Sequence, residues 1–315
     1  MSKVRVVFLG TPDFAVAPLE SMAKDEHFEI VHVITQPDKP RGRNMVVSGS
    51  PVKQAAEKLG LPVTATESVN KPEFLEFLKT LQADVAVVIA FGQIVSQEFL
   101  NAFPFKAVNI HGSLLPRWRG AAPIQRAIQY GDHETGVALQ IMVQQLDAGP
   151  VLGVRKVPIT AEDTSSIMYE KLKTLSCDLL HVELMDYIRG NLTGVKQDES
   201  QVVIAKKIKK EEGLIDWGKV CVDVANQIKA FDVWPGSWTH YNGKQLKIIR
   251  AMAVVRNNND HEKPGQILDI EKDSFTVICG GGALKVLEVQ LEGKSKMTAG
   301  DFLRGYPLKK GELLK

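Results

Sequence analysis

The sequence predicts an α/β chain: a mostly parallel sheet with helical crossovers, followed by a small all-β domain. Three observations carry this. Over the first two-thirds, short β-branched runs alternate with longer amphipathic segments, the pattern of βαβ units. Several runs end at once in Gly, Pro or Asp, at Gly10-Thr11-Pro12-Asp13, Gln36-Pro37-Asp38, Phe91-Gly92 and His111-Gly112. Those turns share one sheet edge, where open α/β sheets bind ligands. Past Gly213 the texture changes to short strands between turn signals such as Asn242-Gly243, Pro264-Gly265 and Gly280-Gly281-Gly282, which read as a small barrel or sandwich.

The predicted strands are Arg5–Leu9, Ile30–Thr35, Val85–Ala90, Ala107–Ile110, Val137–Met142 and Val154–Val157, each rich in β-branched residues. Between and after them, apolar spacing predicts helices over Val16–Lys24, Pro51–Leu59, Pro72–Leu81, Ile124–Tyr130 and Ser165–Arg189. The charged stretch Lys206 to Glu212 marks a break, and one further helix, Val220–Phe231, precedes the short strands. The expected division is a catalytic domain over 1–189, a linker over 190–208 and a C-terminal domain over 209–315.

With 315 residues, 44% hydrophobic and 24% charged, the chain has the composition of an ordinary globular protein with room for two cores. Its three cysteines are isolated, which argues against a disulfide framework or a zinc site. No apolar run is long enough for a signal peptide or a membrane span, so the expected compartment is the cytoplasm. Net charge is +2 but uneven: residues 206–315 hold 19 basic and 14 acidic side chains, net +5, against 20 and 23 elsewhere, net −3. A basic C-terminal part fits either a polyanionic partner or an ordinary solvated surface.

The richest stretch for chemistry is Val108-Asn109-Ile110-His111-Gly112-Ser113-Leu114-Leu115-Pro116, read with Leu146-Asp147-Ala148-Gly149-Pro150. Asn109 and His111, two apart at a strand's end, point to the same face. Asp147, in a Gly/Pro turn, could hold the imidazole and favour its protonated form. An amide donor, a proton carrier and an orienting carboxylate are the parts of an acyl-transfer centre. On pattern alone a second reading stands beside it: turn formers and a packed histidine. The turn after the first strand lacks the G-x-G-x-x-G fingerprint, which disfavours a nicotinamide cofactor. The Thr35–Ser50 segment, carrying Lys39, Arg41 and Arg43, reads as a long loop able to contact phosphates, or as a plain surface loop. Around Phe231-Asp232-Val233-Trp234-Pro235-Gly236-Ser237-Trp238 the tryptophans read as core more readily than as a base-stacking platform.

These residues resemble the folate-dependent formyltransferase family nearly end to end. The carriers are Phe8–Phe14, Thr35-Gln36-Pro37-Asp38, Ala90-Phe91-Gly92, the run from Asn109 to Gln125, and Asp147-Ala148-Gly149. The run Arg117-Trp118-Arg119-Gly120-Ala121-Ala122-Pro123-Ile124-Gln125, the Gln-Pro-Asp loop and the Phe231–Pro235 segment are similar to members that act on methionyl-tRNA. The resemblance implies a Rossmann-like domain with a C-terminal OB-like barrel, and transfer of formyl from 10-formyltetrahydrofolate to the α-amine of methionyl initiator tRNA. It implies that Asn109 and His111 stabilise the oxyanion while Asp147 holds His111 and helps deprotonate the amine. Ser113, Leu114, Leu115, Pro116, Phe91 and Gly92 would line the folate site, and Lys39, Arg41 and Arg43 would meet the tRNA. Neither a metal nor a membrane is implied, and a monomer is expected. Where the family often carries lysines after Gly42-Arg43, this chain has Asn44-Met45-Val46-Val47, which leaves less charge for phosphates. The rival expectations are a glycinamide ribonucleotide or amino-sugar formyltransferase, a formyl-folate hydrolase, and an idle tRNA- or folate-binding protein.

Overall fold

The computed structural model describes residues 2–41, 46–257, 259 and 261–315. The chain packs into two compact units. One comprises Met1–Pro123, Glu134–Val157 and Tyr169–Ala205, and the other Ile124–His133, Pro158–Met168 and Lys206–Lys315. Two stretches inside the expected 1–189 domain therefore pack with the C-terminal unit. One physical cause is Arg126, only 7% exposed. Its guanidinium forks onto Glu212 (2.6 and 3.1 Å) and also donates to the Lys206 carbonyl.

In chain order, the elements up to Ala205 are β1 (Val4–Gly10), α1 (Val16–Lys24), β2 (Phe28–Thr35), β3 (Lys39–Arg41), β4 (Val46–Ser48), α2 (Pro51–Lys58), β5 (Val63–Ala65), α3 (Pro72–Thr80), β6 (Val85–Ile89), α4 (Gln97–Asn101), β7 (Ala107–His111), β8 (Arg119–Gly120), α5 (Pro123–Gln129), β9 (Glu134–Ile141), β10 (Val151–Pro158), α6 (Ser165–Leu179), α7 (Met185–Ile188) and β11 (Ile204–Ala205). Among the described residues of the first unit, seven strands make one sheet in the order β10-β9-β7-β6-β1-β2-β5. Pairing is parallel from β5 through β7, and β9 joins antiparallel. Central β6, Val-Ala-Val-Val-Ile, is buried at every position, as a parallel strand covered on both faces must be. Edge strand β10 alternates half-buried with exposed residues from Gly153 to Pro158 instead.

The chain runs outward from β1 to β2 and β5, then returns to β6 and β7 on the other side of β1. The switch therefore lies between β1 and β6, and its ends are tied together. Thr11 Oγ1 donates to the Phe91 carbonyl (3.1 Å), and the Gln36 amide donates to the carbonyls of Phe91 (2.9 Å) and Gly92 (3.0 Å). Helix α2 begins where Ser50 accepts from the Lys53 amide with Pro51 in the first turn. The segment read as an unstructured loop differs: β3 and β4 pair antiparallel within it.

The long helix expected over Ser165–Arg189 is interrupted by one π-type turn, Leu180–Leu184. That turn places His181 between Ser21 Oγ on α1 (2.7 Å) and Asp25 Oδ2 just past the end of α1 (2.5 Å).

The second unit carries α8 (Cys221–Ala230), β12 (Ser237–Tyr241), β13 (Lys244–Val254), β14 (Ile267–Ile270), β15 (Phe275–Ile278), β16 (Ala283–Leu291), β17 (Met297–Thr298) and α9 (Ala299–Gly305). Its antiparallel sheet has the order β12-β13-β16-β15-β14, with β17 also on β16. Asn242 and Gly243, both at positive φ (48° and 75°), form the two-residue turn from β12 to β13. The last residues bridge the sheet's two open edges. Ile267 N donates to Glu312 O (2.8 Å) and Leu314 N to Gly265 O (2.9 Å), while His240 N donates to Lys315 O (2.6 Å). The expected barrel is thus closed by the tail.

Cys221 and Cys279, isolated in sequence, meet in this core. Burial, with Cys221 alongside, pushes the Cys279 thiol up to about 12. Trp234 departs from its core reading. It is 52% exposed in the turn after α8, while Phe231 fills the interior.

Candidate active site

Strand β7 builds the site. Asn109 and His111 are two residues apart and share a face, and the ladder sets Asn109 opposite Gln140 and His111 opposite Ala138. Directly opposed residues of antiparallel strands lie on the same face, so Gln140 joins Asn109 and His111 there. The turn after β9 folds back over this face and delivers Asp147, whose Oδ2 lies 3.6 Å from His111 Nδ1. That is an ion-pair separation, too long for a hydrogen bond. Both side chains are largely buried, 8% and 11% exposed.

The hydrogen bond that fixes the ring comes from elsewhere. His111 Nε2 lies 2.8 Å from the Trp118 carbonyl. A carbonyl only accepts, so Nε2 carries a proton, leaving Nδ1 facing Asp147. The Asn109 side chain is half-buried and makes no hydrogen bond among the described residues, so its amide is available to a ligand.

Asp147 is itself held. Its Oδ2 accepts from Gly120 N (2.9 Å) and its Oδ1 from Gln140 Nε2 (3.3 Å). Its backbone is left-handed, φ 51°, a conformation that aspartate tolerates better than bulkier residues. Gly120, at φ 121°, has no room for a side chain: a Cβ there would lie 2.7 Å from the Ala205 carbonyl. Gly149 is tighter still, since its Cβ would meet the Ile141 carbonyl at 1.6 Å.

The Ser113–Pro116 loop is self-bracing. Ser113 is fully buried and donates from Oγ to the Arg117 carbonyl (2.6 Å), while Arg117 N donates to Leu114 O (3.1 Å). Leu115 is 9% exposed, the Leu115–Pro116 bond is cis, and Leu114 and Pro116 are half-buried. Phe91 is 2% exposed and packs its ring in the hydrophobic core; Gly92 is exposed at φ 80°. The structure thus brings Asn109, His111 and Asp147 together. The ends of β1, β2 and β6, with Phe91 and Gly92, meet at the same sheet edge.

Lys39 and Arg41 lie on β3, and Arg43 falls outside the described residues. Arg119, in the run Arg117-Trp118-Arg119-Gly120, is 3% exposed and turned inward. Among the described residues no cluster of His, Cys, Asp and Glu could hold a metal ion, and no helix is long and apolar enough to cross a membrane.

Sequence reasoning missed the Trp118 carbonyl, the Gly120 amide and Gln140. Backbone groups have no residue-type signature. Gln140, a polar residue inside the apolar run Val137–Met142, did offer one.

The model of the family described as formyl transferase matches residues 3–182, and that of the formyl transferase C-terminal domain matches 207–307. A relative from Bdellovibrio bacteriovorus named methionyl-tRNA formyltransferase is 50% identical, with 100% of this chain and 99% of the relative covered. One of the same name from Myxococcus xanthus is 42% identical over 99% and 98%. Among solved structures, the N-formyltransferase of Helicobacter canadensis aligns with TM-score 0.69 and 20% identity, covering 93% of this chain and all of that one. The phosphoribosylglycinamide formyltransferase of Bacillus halodurans aligns with TM-score 0.50 and 26% identity, covering 58% of this chain and 95% of that one.

Proposed function

The chain belongs to the formyl transferase family, and on that premise we propose that it moves a formyl group from 10-formyltetrahydrofolate to the α-amine of methionine esterified to initiator tRNA. The observation that carries this reading is the convergence of the Asn109 amide, the His111 ring and the Asp147 carboxylate on one face of β7. Relatives matching along the whole chain are named for methionyl-tRNA, which supports the acceptor.

The amine attacks the formyl carbon only when neutral, and an α-amino pKa of roughly 8 leaves a usable neutral fraction at physiological pH. Charge then gathers on the formyl oxygen. Asn109 Nδ2–H and a protonated His111 Nδ1 are the donors that meet it, because Nε2 is already engaged by Trp118. Asp147, at ion-pair distance from Nδ1, favours the charged ring and accepts the proton the amine loses as the new C–N bond forms. When the intermediate collapses, the bond from carbon to N10 breaks and N10 takes the proton that Asp147 had accepted, giving tetrahydrofolate and the formylated amine and restoring the carboxylate.

The Ser113–Pro116 loop and the Phe91-Gly92 backbone line the folate pocket in this reading. Lys39, Arg41 and Arg43 touch the tRNA, and the C-terminal unit supplies further tRNA contacts; the working enzyme is a monomer. A glycinamide ribonucleotide acceptor is the second choice, because the aligned phosphoribosylglycinamide enzyme covers only 58% of this chain.

The test is formyl transfer from 10-formyltetrahydrofolate to charged initiator tRNA, charged elongator tRNA and glycinamide ribonucleotide. Formylated methionine on initiator tRNA is expected. Transfer to glycinamide ribonucleotide alone, or release of free formate without acceptor, would overturn the reading. Replacing Lys39, Arg41 and Arg43 by Ala, singly and together, tests the loop: unchanged KM for tRNA and unchanged kcat would remove it from the interface.

A further inference from the structure

The segment that follows α7 reaches back to the Asp147 turn. Gln197 is 6% exposed, and its Nε2 donates to the carbonyls of Asp147 (2.8 Å) and Gly149 (2.7 Å), with Gln140 Oε1 at 3.4 Å. Its Oε1 accepts from Arg119 Nε at 3.0 Å. The orientation of this amide is not arbitrary: an arginine only donates and carbonyls only accept, so each end of Gln197 has one possible role. Arg119, 3% exposed, turns its remaining guanidinium nitrogens onto Glu199 at 2.8 and 3.2 Å. The same segment is pinned along its length. Val195 and Val151 exchange backbone hydrogen bonds, Arg119 N donates to Val203 O (3.0 Å), and β11 pairs with β8.

Arg119 also sits between the two backbone groups that define the site, since its neighbours supply the Trp118 carbonyl to His111 and the Gly120 amide to Asp147. A buried amide that satisfies two carbonyls of a turn and is itself satisfied by a buried guanidinium leaves the turn one arrangement. The turn's left-handed aspartate has no glycine at its own position to relax into.

We infer that Gln197 and Arg119 are positioning residues for the formyl-transfer reaction, holding the Asp147 carboxylate at its place beside His111. This rests on the reading of Asp147 as the proton-handling carboxylate. Neither side chain needs to touch a substrate. Their effect falls on the chemical step, where a misplacement on the order of 1 Å costs about a hundredfold.

The experiment compares wild type, Q197A, the near-isosteric Q197E, D147A and D147A/Q197A as full-length proteins, with kcat and both KM values measured at fixed pH. Q197E keeps the side chain's shape but turns an acceptor toward two carbonyls, so it keeps the test open if Q197A fails to fold. The expected result is a ten- to hundredfold loss of kcat in Q197A and Q197E, with KM for tRNA and for the folate within about twofold of wild type. In the D147A background, Q197A is expected to cost less than about twofold, because the carboxylate it positions is gone. An unchanged kcat, a loss carried by KM, or an equal loss in both backgrounds overturns the inference. Wild type inactive on initiator tRNA would instead overturn the proposed function, and the two failures are distinct.

Discussion

His111 is gripped at Nε2 by a main-chain carbonyl and faces a carboxylate at Nδ1, so its neighbours can be removed one at a time without freeing the ring. Asn109→Ala deletes an oxyanion donor and leaves the His111–Trp118 bond in place; kcat is expected to fall at least about 10²-fold with little change in thermal midpoint. Asp147→Ala is expected to lose as much, with an altered pH–rate profile because a proton acceptor has gone. Near-wild-type turnover in either purified variant would remove that residue from the mechanism. At this scale the sequence revealed what residue type and spacing can reveal. Asn109 and His111 are two apart on a strand, and that alone puts them on one face. The grip of Trp118 and Gly120 was hidden because peptide groups look alike in a sequence. Gln197 was hidden because 50 residues separate it from the turn it satisfies.

Among the elements, the strongly patterned ones were legible and the short ones were not. Helix α1 lies over Val16–Lys24 as its spacing predicts, and Pro51 and Pro72 mark true helix starts. Strand β5 and helix α4, of three and five residues, are too short to show a period. Nor does periodicity say with which core α5 packs. That depends on Arg126 finding Glu212, 86 residues away. The Arg126 hydrogen bonds hold the Glu212 carboxyl below its ordinary 4.5, against an opposing effect of burial. A depressed carboxyl contributes stability that is complete above the unfolded pKa and is lost as pH falls through the folded one. Wild type is therefore expected to lose thermal stability between about pH 5 and pH 3 more steeply than Glu212→Gln. At neutral pH the variant is expected to be about 1–2 kcal/mol less stable, between the values for exposed and buried pairs. Parallel pH profiles for the two proteins would show that this pair does not anchor α5.

Across the whole molecule, the two units solve the edge problem of a sheet differently. The first buries its parallel centre and ends in the alternating strand β10. The second has a sheet whose outer strands, β12 and β14, would each present unpaired backbone to water or to another chain. Residues Glu312–Lys315 occupy that gap, with Thr239 Oγ1 adding a further bond to Lys315 O (2.9 Å) and Leu314 buried to 3% exposure. The tail thus acts as a barrel strand too short for strand periodicity to reveal it. Two variants separate its backbone and side-chain contributions. Leu314→Ala is expected to cost about 2–3 kcal/mol, as for a buried leucine in a partly yielding site. Deleting residues 312–315 removes that burial together with the bridging hydrogen bonds, each worth about 1 kcal/mol net, and is expected to lower the thermal midpoint by roughly 10 °C or more. Because the deletion also exposes two strand edges, it should raise concentration-dependent association, while Leu314→Ala should not. Calorimetry and light scattering on the three proteins decide it. A deletion variant that melts with wild type and stays monodisperse would mean that the barrel does not need the tail to close it.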